Sequence, residues 1–258
     1  MMKKINLLLA ALLFVTVTVS VNAQSIDAKE IIKKAKAGKD ITYQNATIKG
    51  VLDFTPYEEK KDDLPGRSWF STSSNTIKNE ISGKITFINC TFEDDVLAYL
   101  HDDDTEYTFV SNFEEDVIFK NCAFKEGAAF KYSTFSGIVD FSGSEIKEEA
   151  NFKYAEFEKE ADFAKLNFKE LANFKYAEFE EMVTFSGSTF NSEANFKYTE
   201  IDNGVNFSNT IFEDFLNLKY TKLNGAVNLK NFQINGDMDT KYTEVNGKSF
   251  TSYLVNNR

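Results

Sequence analysis

Ala150-Asn-Phe-Lys-Tyr-Ala-Glu-Phe-Glu-Lys-Glu160 returns almost unchanged as Ala172-Asn-Phe-Lys-Tyr-Ala-Glu-Phe-Glu-Glu-Met182. Between them, Ala161-Asp-Phe-Ala-Lys-Leu-Asn-Phe-Lys-Glu-Leu171 keeps the same apolar positions, so the period is eleven residues. It runs from Val117 to Gly247. Position 1 is apolar in every unit, and position 3 is Phe from Phe119 to Phe207, then Leu218 and Leu229. Position 6 is small or modest, as at Cys122, Ser133, Ser144, Ala155 and Thr199. Position 8 is large again, as at Phe124, Phe157, Phe179 and Val245.

An eleven-residue period also suits a helix that supercoils right-handedly. On a helix, however, positions 1, 3, 6 and 8 fall on opposite sides rather than on one stripe. Phe, Thr, Tyr, Ser and Asn also favour strands and turns. Positions two apart point to one face of a strand, so each unit reads as two short sides of a coil. A second period sets the number of sides. Lys-Tyr recurs at 131–132, 153–154, 175–176, 197–198, 219–220 and 241–242, always 22 residues apart. Two units per coil make four sides.

Ala-Asn-Phe-Lys-Tyr and Ala-Asp-Phe-Ala-Lys resemble the pentapeptide repeat, Ala-(Asp/Asn)-(Leu/Phe)-x-x, over roughly residues 41–248. The resemblance implies an all-β fold, a right-handed quadrilateral β-helix with the first and third residues inside. The chain departs from the pattern by one extra residue in every second pentapeptide, which predicts a bulged corner in each half-coil. The Phe-rich centre is a known variant of the family.

Upstream, Ile41 to Ile48 makes one unit, Leu52 to Phe54 opens another that Ile81 closes, and Ile85 to Phe92 is a third. Phe109 and Phe113 read as a shortened unit. About sixteen units then give about eight coils, a rod of roughly 38 Å at the inter-strand spacing. Insertions fall near 55–80 and 94–107, and both are expected at the same end of the rod. Residues 24–40 read as an N-terminal capping helix, with Asp27 and Glu30 at its start, several Lys near its end and Gly38 closing it. Its Ile31, Ile32 and Ala35 are expected to cover the first Phe layer. Residues 249–258 form a C-terminal cap or tail, carrying Phe250, Tyr253, Leu254 and Val255. In relatives this end can form a dimer interface, so a homodimer is among the states the resemblance allows.

Lys3 and Lys4 precede the apolar run Leu7–Val21, which ends in Val21-Asn22-Ala23. That order reads as a secretory signal peptide over residues 1–23, cleaved before Gln24. The mature chain is then expected outside the cytoplasm, periplasmic or extracellular, with no membrane insertion. Of 258 residues, 42% are apolar and 26 are Phe, with two Pro and two Cys. This composition excludes disorder, collagen and a disulfide framework. Formal charge is 29 − 40 = −11, and removal of Lys3 and Lys4 makes it −13. Such a surface disfavours nucleic acid and anionic lipid.

Cys90 and Cys122 share position 6 and stack on adjacent coils if Phe109–Phe113 is one unit. Their column permits a disulfide, and two buried thiols are the alternative. Chemistry finds little footing. There is one His, which removes a His-based metal cluster, and no phosphate loop or nucleophile elbow occurs. His101-Asp102-Asp103-Asp104 is an acidic solvated loop in preference to a Ca²⁺ site. No catalytic residue, metal or cofactor is therefore assigned. The candidate partner-binding residues are Arg67, Trp69 and Phe70 in the first insertion and Tyr99 and His101 in the second, since a loop Trp beside Phe and Arg has the composition of an anchor. Tyr132, Tyr154, Tyr176, Tyr198 and Tyr220 form an outward aromatic ladder, a strip for a glycan or peptide or else simply self-stacked. These features predict a non-enzymatic extracytoplasmic interaction module that binds another protein or an envelope component through its loops. Two alternatives are an acidic DNA-mimicking rod that binds a topoisomerase, as some family members do, and a saccharide-binding or saccharide-acting β-helix.

Overall fold

The computed structural model describes residues 24–64 and 75–256. Over these the chain winds through eight coils, each with four short sides. The first coil contains β2 (Ile41–Gln44), β3 (Ala46–Lys49), β4 (Leu52–Asp53) and β5 (Thr76–Ile81), on faces we number one to four. A strand before them, β1 (Gln24–Asp27), pairs with β3. The second coil repeats the path with β6 (Ile85–Ile88), β7 (Thr91–Phe92), β8 (Val96–Leu97) and, after β9 (Tyr99–Asp102), β10 (Tyr107–Phe113). From Val117 onward every side is in parallel register with its like 22 residues later, Ala150 on Ala172 and Phe157 on Phe179 among them. The architecture is a right-handed quadrilateral β-helix.

Alternation explains the core. Positions 1, 3, 6 and 8 point inward, and Phe152, Phe174 and Phe196 are wholly buried in one column. Their rings stack at 5.1 and 5.0 Å with planes 6° and 4° apart. Edge-to-face contacts tie neighbouring columns, as between Phe163 and Phe174 at 5.4 Å. Each buried Phe contributes about 1.5–3 kcal/mol, and ring geometry adds to it.

Two polar positions hold the corners. The position-2 side chain folds back on its own turn, so that Asn151 Oδ1 accepts the Lys153 N–H at 3.1 Å and Asp162 Oδ1 accepts that of Ala164 at 2.8 Å. Asn and Asp make this turn readily, which explains their place in the repeat. At position 6, a hydroxyl donates to the position-3 carbonyl of the preceding coil: Thr199 to Phe174 at 2.6 Å, Thr221 to Phe196 at 2.6 Å, Thr210 to Phe185 at 2.7 Å. Cys90 and Cys122 fill the same position, their thiols 3.5 Å from the Tyr43 and Phe87 carbonyls. Both are free and buried, and they sit in adjacent coils. Its hydrogen bond to Cys90 and its burial push the Cys122 thiol well above the usual range.

The ends differ from the expected boundaries. The N-terminal helix α1 spans only Ala28–Ala35, and residues 24–27 are strand, because the edge of β3 needs a backbone partner there. Asp27 caps α1 by accepting the Lys29 N–H at 2.9 Å, and Ile31 and Ala35 are buried on the first coil. At the other end, Lys248–Ser249 pairs antiparallel with Glu244–Val245 and leads into α3 (Phe250–Asn256). Phe250 is buried, and the Tyr253 hydroxyl donates to the Val227 carbonyl at 2.8 Å.

The second insertion is shorter than the interval 94–107. Val96 and Ala98 are buried at positions 1 and 3, and the Ser111 N–H closes on the Ala98 carbonyl at 2.9 Å. Ala98 stands where the repeat places Phe, which hides the unit in the sequence. Phe109 is consequently outside the rod's columns and packs edge-on against Tyr57 at 5.1 Å.

Candidate functional site

Both insertions leave the corner between faces three and four, in successive coils. There they pair into one wing. β5 and β10 run parallel over six residues, from Thr76 on Thr108 to Ile81 on Phe113. β9 turns back antiparallel on β10, Asp102 opposite Tyr107. A short helix, α2 (Tyr57–Lys60), lies in the first insertion.

The corner beneath the wing carries the Lys-Tyr pairs. Every Tyr from Tyr132 to Tyr242 adopts a positive φ of 58–63°, a left-handed conformation unfavourable for a bulky residue. Their rings stack in one continuous pile, with centroids 4.9 Å apart between Tyr132 and Tyr154 and 4.7 Å in each of the next three steps. The pile therefore turns ring edges, not faces, to the solvent, and a sugar ring has few faces to stack on. Lys131, Lys153 and Lys175 place ammonium groups 4.9–5.1 Å from the ring centres. Burial, with Lys131 and Lys175 on either side, lowers the Lys153 pKa. A parallel row of Glu156, Glu178 and Glu200 follows on face four, where burial and the flanking carboxylates raise the Glu178 pKa.

Tyr99 joins this ladder from the wing. Its ring lies 6.0 Å from that of Tyr132, and its hydroxyl accepts from Lys131 Nζ at 3.1 Å. His101 faces across the hairpin, Nδ1 2.9 Å from the Thr108 hydroxyl and Nε2 3.6 Å from Asp103. Asp102 accepts the Asp104 and Thr105 N–H groups and so builds the hairpin turn. No cluster of three metal-binding side chains occurs among the described residues. Thus Tyr99, His101 and the Tyr ladder come together on one corner. Arg67, Trp69 and Phe70 lie outside the described residues, as does the leader 1–23.

The sequence reading missed a second feature. On the other side of the wing, α1, α2, β9 and the outer surface of face three enclose a cavity of about 1000 Å³. Ile32, Val51, Tyr57, Leu97 and Leu100 line it. Nearby, Asp53 is mostly buried, which raises its pKa, and it accepts the Thr55 N–H at 2.8 Å. Lys36 Nζ bridges the Thr55 carbonyl and Glu59, both at 2.7 Å. The apolar outward Leu97, where later coils carry Asn151, Asn173 and Asn195, was the available signal.

Coils stacked in register, a ring-filled interior and one decorated corner define a repeat solenoid with a lateral wing. Residues 111–156, 130–178, 152–200 and 174–222 each match the family model described as pentapeptide repeats in nine copies. Residues 111–222 therefore carry pentapeptide repeats. No curated protein and no solved structure matches it significantly.

Proposed function

We propose that the protein is an exported, non-enzymatic interaction module whose partner, another protein or an envelope component, is held by the wing and the ladder corner. One observation carries this reading: two insertions separate in sequence emerge at one corner and pair into a single three-stranded wing that joins the Tyr ladder through Tyr99. A rod that only spaced other parts would need neither, and departures from a repeat are where recognition concentrates. The apolar run behind Lys3 and Lys4 supports export.

The test has two arms. Protein recovered outside the cytoplasm is expected to begin at Gln24 by mass; an intact leader on cytosolic protein overturns the export reading. Tyr99→Ala/His101→Ala and Trp69→Ala/Phe70→Ala variants are expected to lose the envelope component captured by the mature protein while melting normally. Equal capture by all three proteins overturns the wing as the recognition element.

A further inference from the structure

We propose that the mature chain is modified at its first residue: Gln24 closes on itself to a pyroglutamate ring, which seals β1 against trimming. The inference rests on the export reading, which makes Gln24 the new amino terminus. The chain then starts inside a strand, with no spacer ahead of it. Gln24 lies opposite Ala46 and Ser25 opposite Thr47, and β1 covers the edge of β3 that β7 leaves open. Just behind them, Ile26 is buried and Asp27 caps α1 by accepting the Lys29 N–H. Proteolysis concentrates at chain ends that are not tied down. Each residue removed here takes away part of the ladder, then a core contact, then the cap.

Gln24 has the chemistry to close that end. It is exposed, which leaves its side chain room to bend back on its own amine. An α-amino group titrates at about 8, so roughly a tenth of it is neutral at pH 7. The amine lone pair attacks the side-chain carbonyl carbon Cδ; an N–Cδ bond forms and the Cδ–Nε2 bond breaks. Nε2 leaves as ammonia with a proton from the amine. No electrons change hands and no co-reactant is consumed. Both reacting groups belong to one residue and close a five-membered ring, so proximity drives the step. The product also suits the strand. Its nitrogen keeps one N–H, the backbone carbonyl is untouched, and the ring leaves ψ free for the extended conformation. Only the terminal ammonium is lost, the group by which an aminopeptidase grips a chain end.

Mass spectrometry of protein taken directly from outside the cytoplasm tests it. The chain is expected to be lighter by one ammonia than one beginning at unmodified Gln24, and pyroglutamyl aminopeptidase is expected to release the blocked residue. A chain that begins at Gln24 with an open amine overturns this proposal and leaves the export reading standing. A chain that begins elsewhere overturns both. A second measurement reads the protective role. With a broad-specificity aminopeptidase, the native protein is expected to keep its mass and its melting curve. The Gln24→Ala variant, which cannot cyclise, is expected to be trimmed into β1 and to melt at least about 2 °C lower afterwards. Equal resistance of the two proteins overturns the seal.

Discussion

The corner between faces one and two and the corner between faces three and four are built by the same turn, and they are filled differently. At the first, the left-handed position holds Asn45, Asn89, Asn121, Gly143, Lys165, Gly187, Asn209 and Asn231. Asn and Gly adopt that conformation readily. At the second, the same position holds Tyr132, Tyr154, Tyr176, Tyr198, Tyr220 and Tyr242, which do not. Only the second corner also opens into insertions. Backbone economy explains the first corner, and something outside the backbone must explain the second. Ring stacking at 4.7 Å is the available compensation, worth about 0.5–1.5 kcal/mol per pair against roughly 1–2 kcal/mol for each strained residue. The two are close enough to balance, so stability alone gives little reason to prefer Tyr. Recognition does.

If the corners differ only on the outside, their cores must respond alike, and this is the largest effect to test. Phe163 precedes the first corner and Phe174 the second, both wholly buried between stacked rings. Phe163→Ala and Phe174→Ala should each destabilise by about 3–5 kcal/mol, measured by denaturant unfolding. A gap between them much wider than that range would mean that the ladder contributes to the core and that the comparison is wrong.

Next comes the exchange of corner residues. Asn209→Tyr puts a lone Tyr into the left-handed position and removes the hydrogen bond from Asn231 Nδ2 to Asn209 Oδ1; it should cost about 1–2 kcal/mol. Tyr176→Asn relieves the same strain and loses two ring contacts, so its net effect should lie within about 1 kcal/mol of zero. Equal losses at the two corners would show that stacking, not conformation, governs both.

The contrast also shows what a sequence of this kind reveals. Columns repeated every 22 residues made the four sides and the Phe centre legible, because each column is stated six or more times. The polar devices were half visible. Asn and Asp at position 2 and Ser, Thr or Cys at position 6 stand out in the repeat, but their hydrogen bonds to the turn and to the preceding coil appear only when coils are stacked. What happens once is hidden. Ala98 in place of Phe blurred the second insertion, and Gln24–Asp27 is strand because it pairs with the edge of β3 that β7 leaves open. The cavity joins Ile32, Val51, Tyr57 and Leu100, four segments with no common pattern.

The smallest effect separates the two outward rows beyond the corners. After the first corner the row is mixed: Glu145 accepts from Asn167 at 3.0 Å and has Lys169 at 3.6 Å. After the second, Glu178 lies between Glu156 and Glu200, and its pKa is raised first by burial and then by those neighbours. A carboxyl whose folded pKa is raised carries a penalty that is present above that pKa and vanishes below the unfolded value near 4.5. Glu178→Gln should therefore stabilise at pH 7, by roughly 0.2–1 kcal/mol and near the lower end because solvent screens an exposed row. The gain should shrink as the pH falls through the raised pKa toward 4.5 and be absent below it. Glu145→Gln, which gives up the Lys169 ion pair, should show no gain at pH 7. Paired thermal melts at pH 7 and pH 3.5 read both, and identical behaviour would mean that the acidic row is as unstrained as the mixed one.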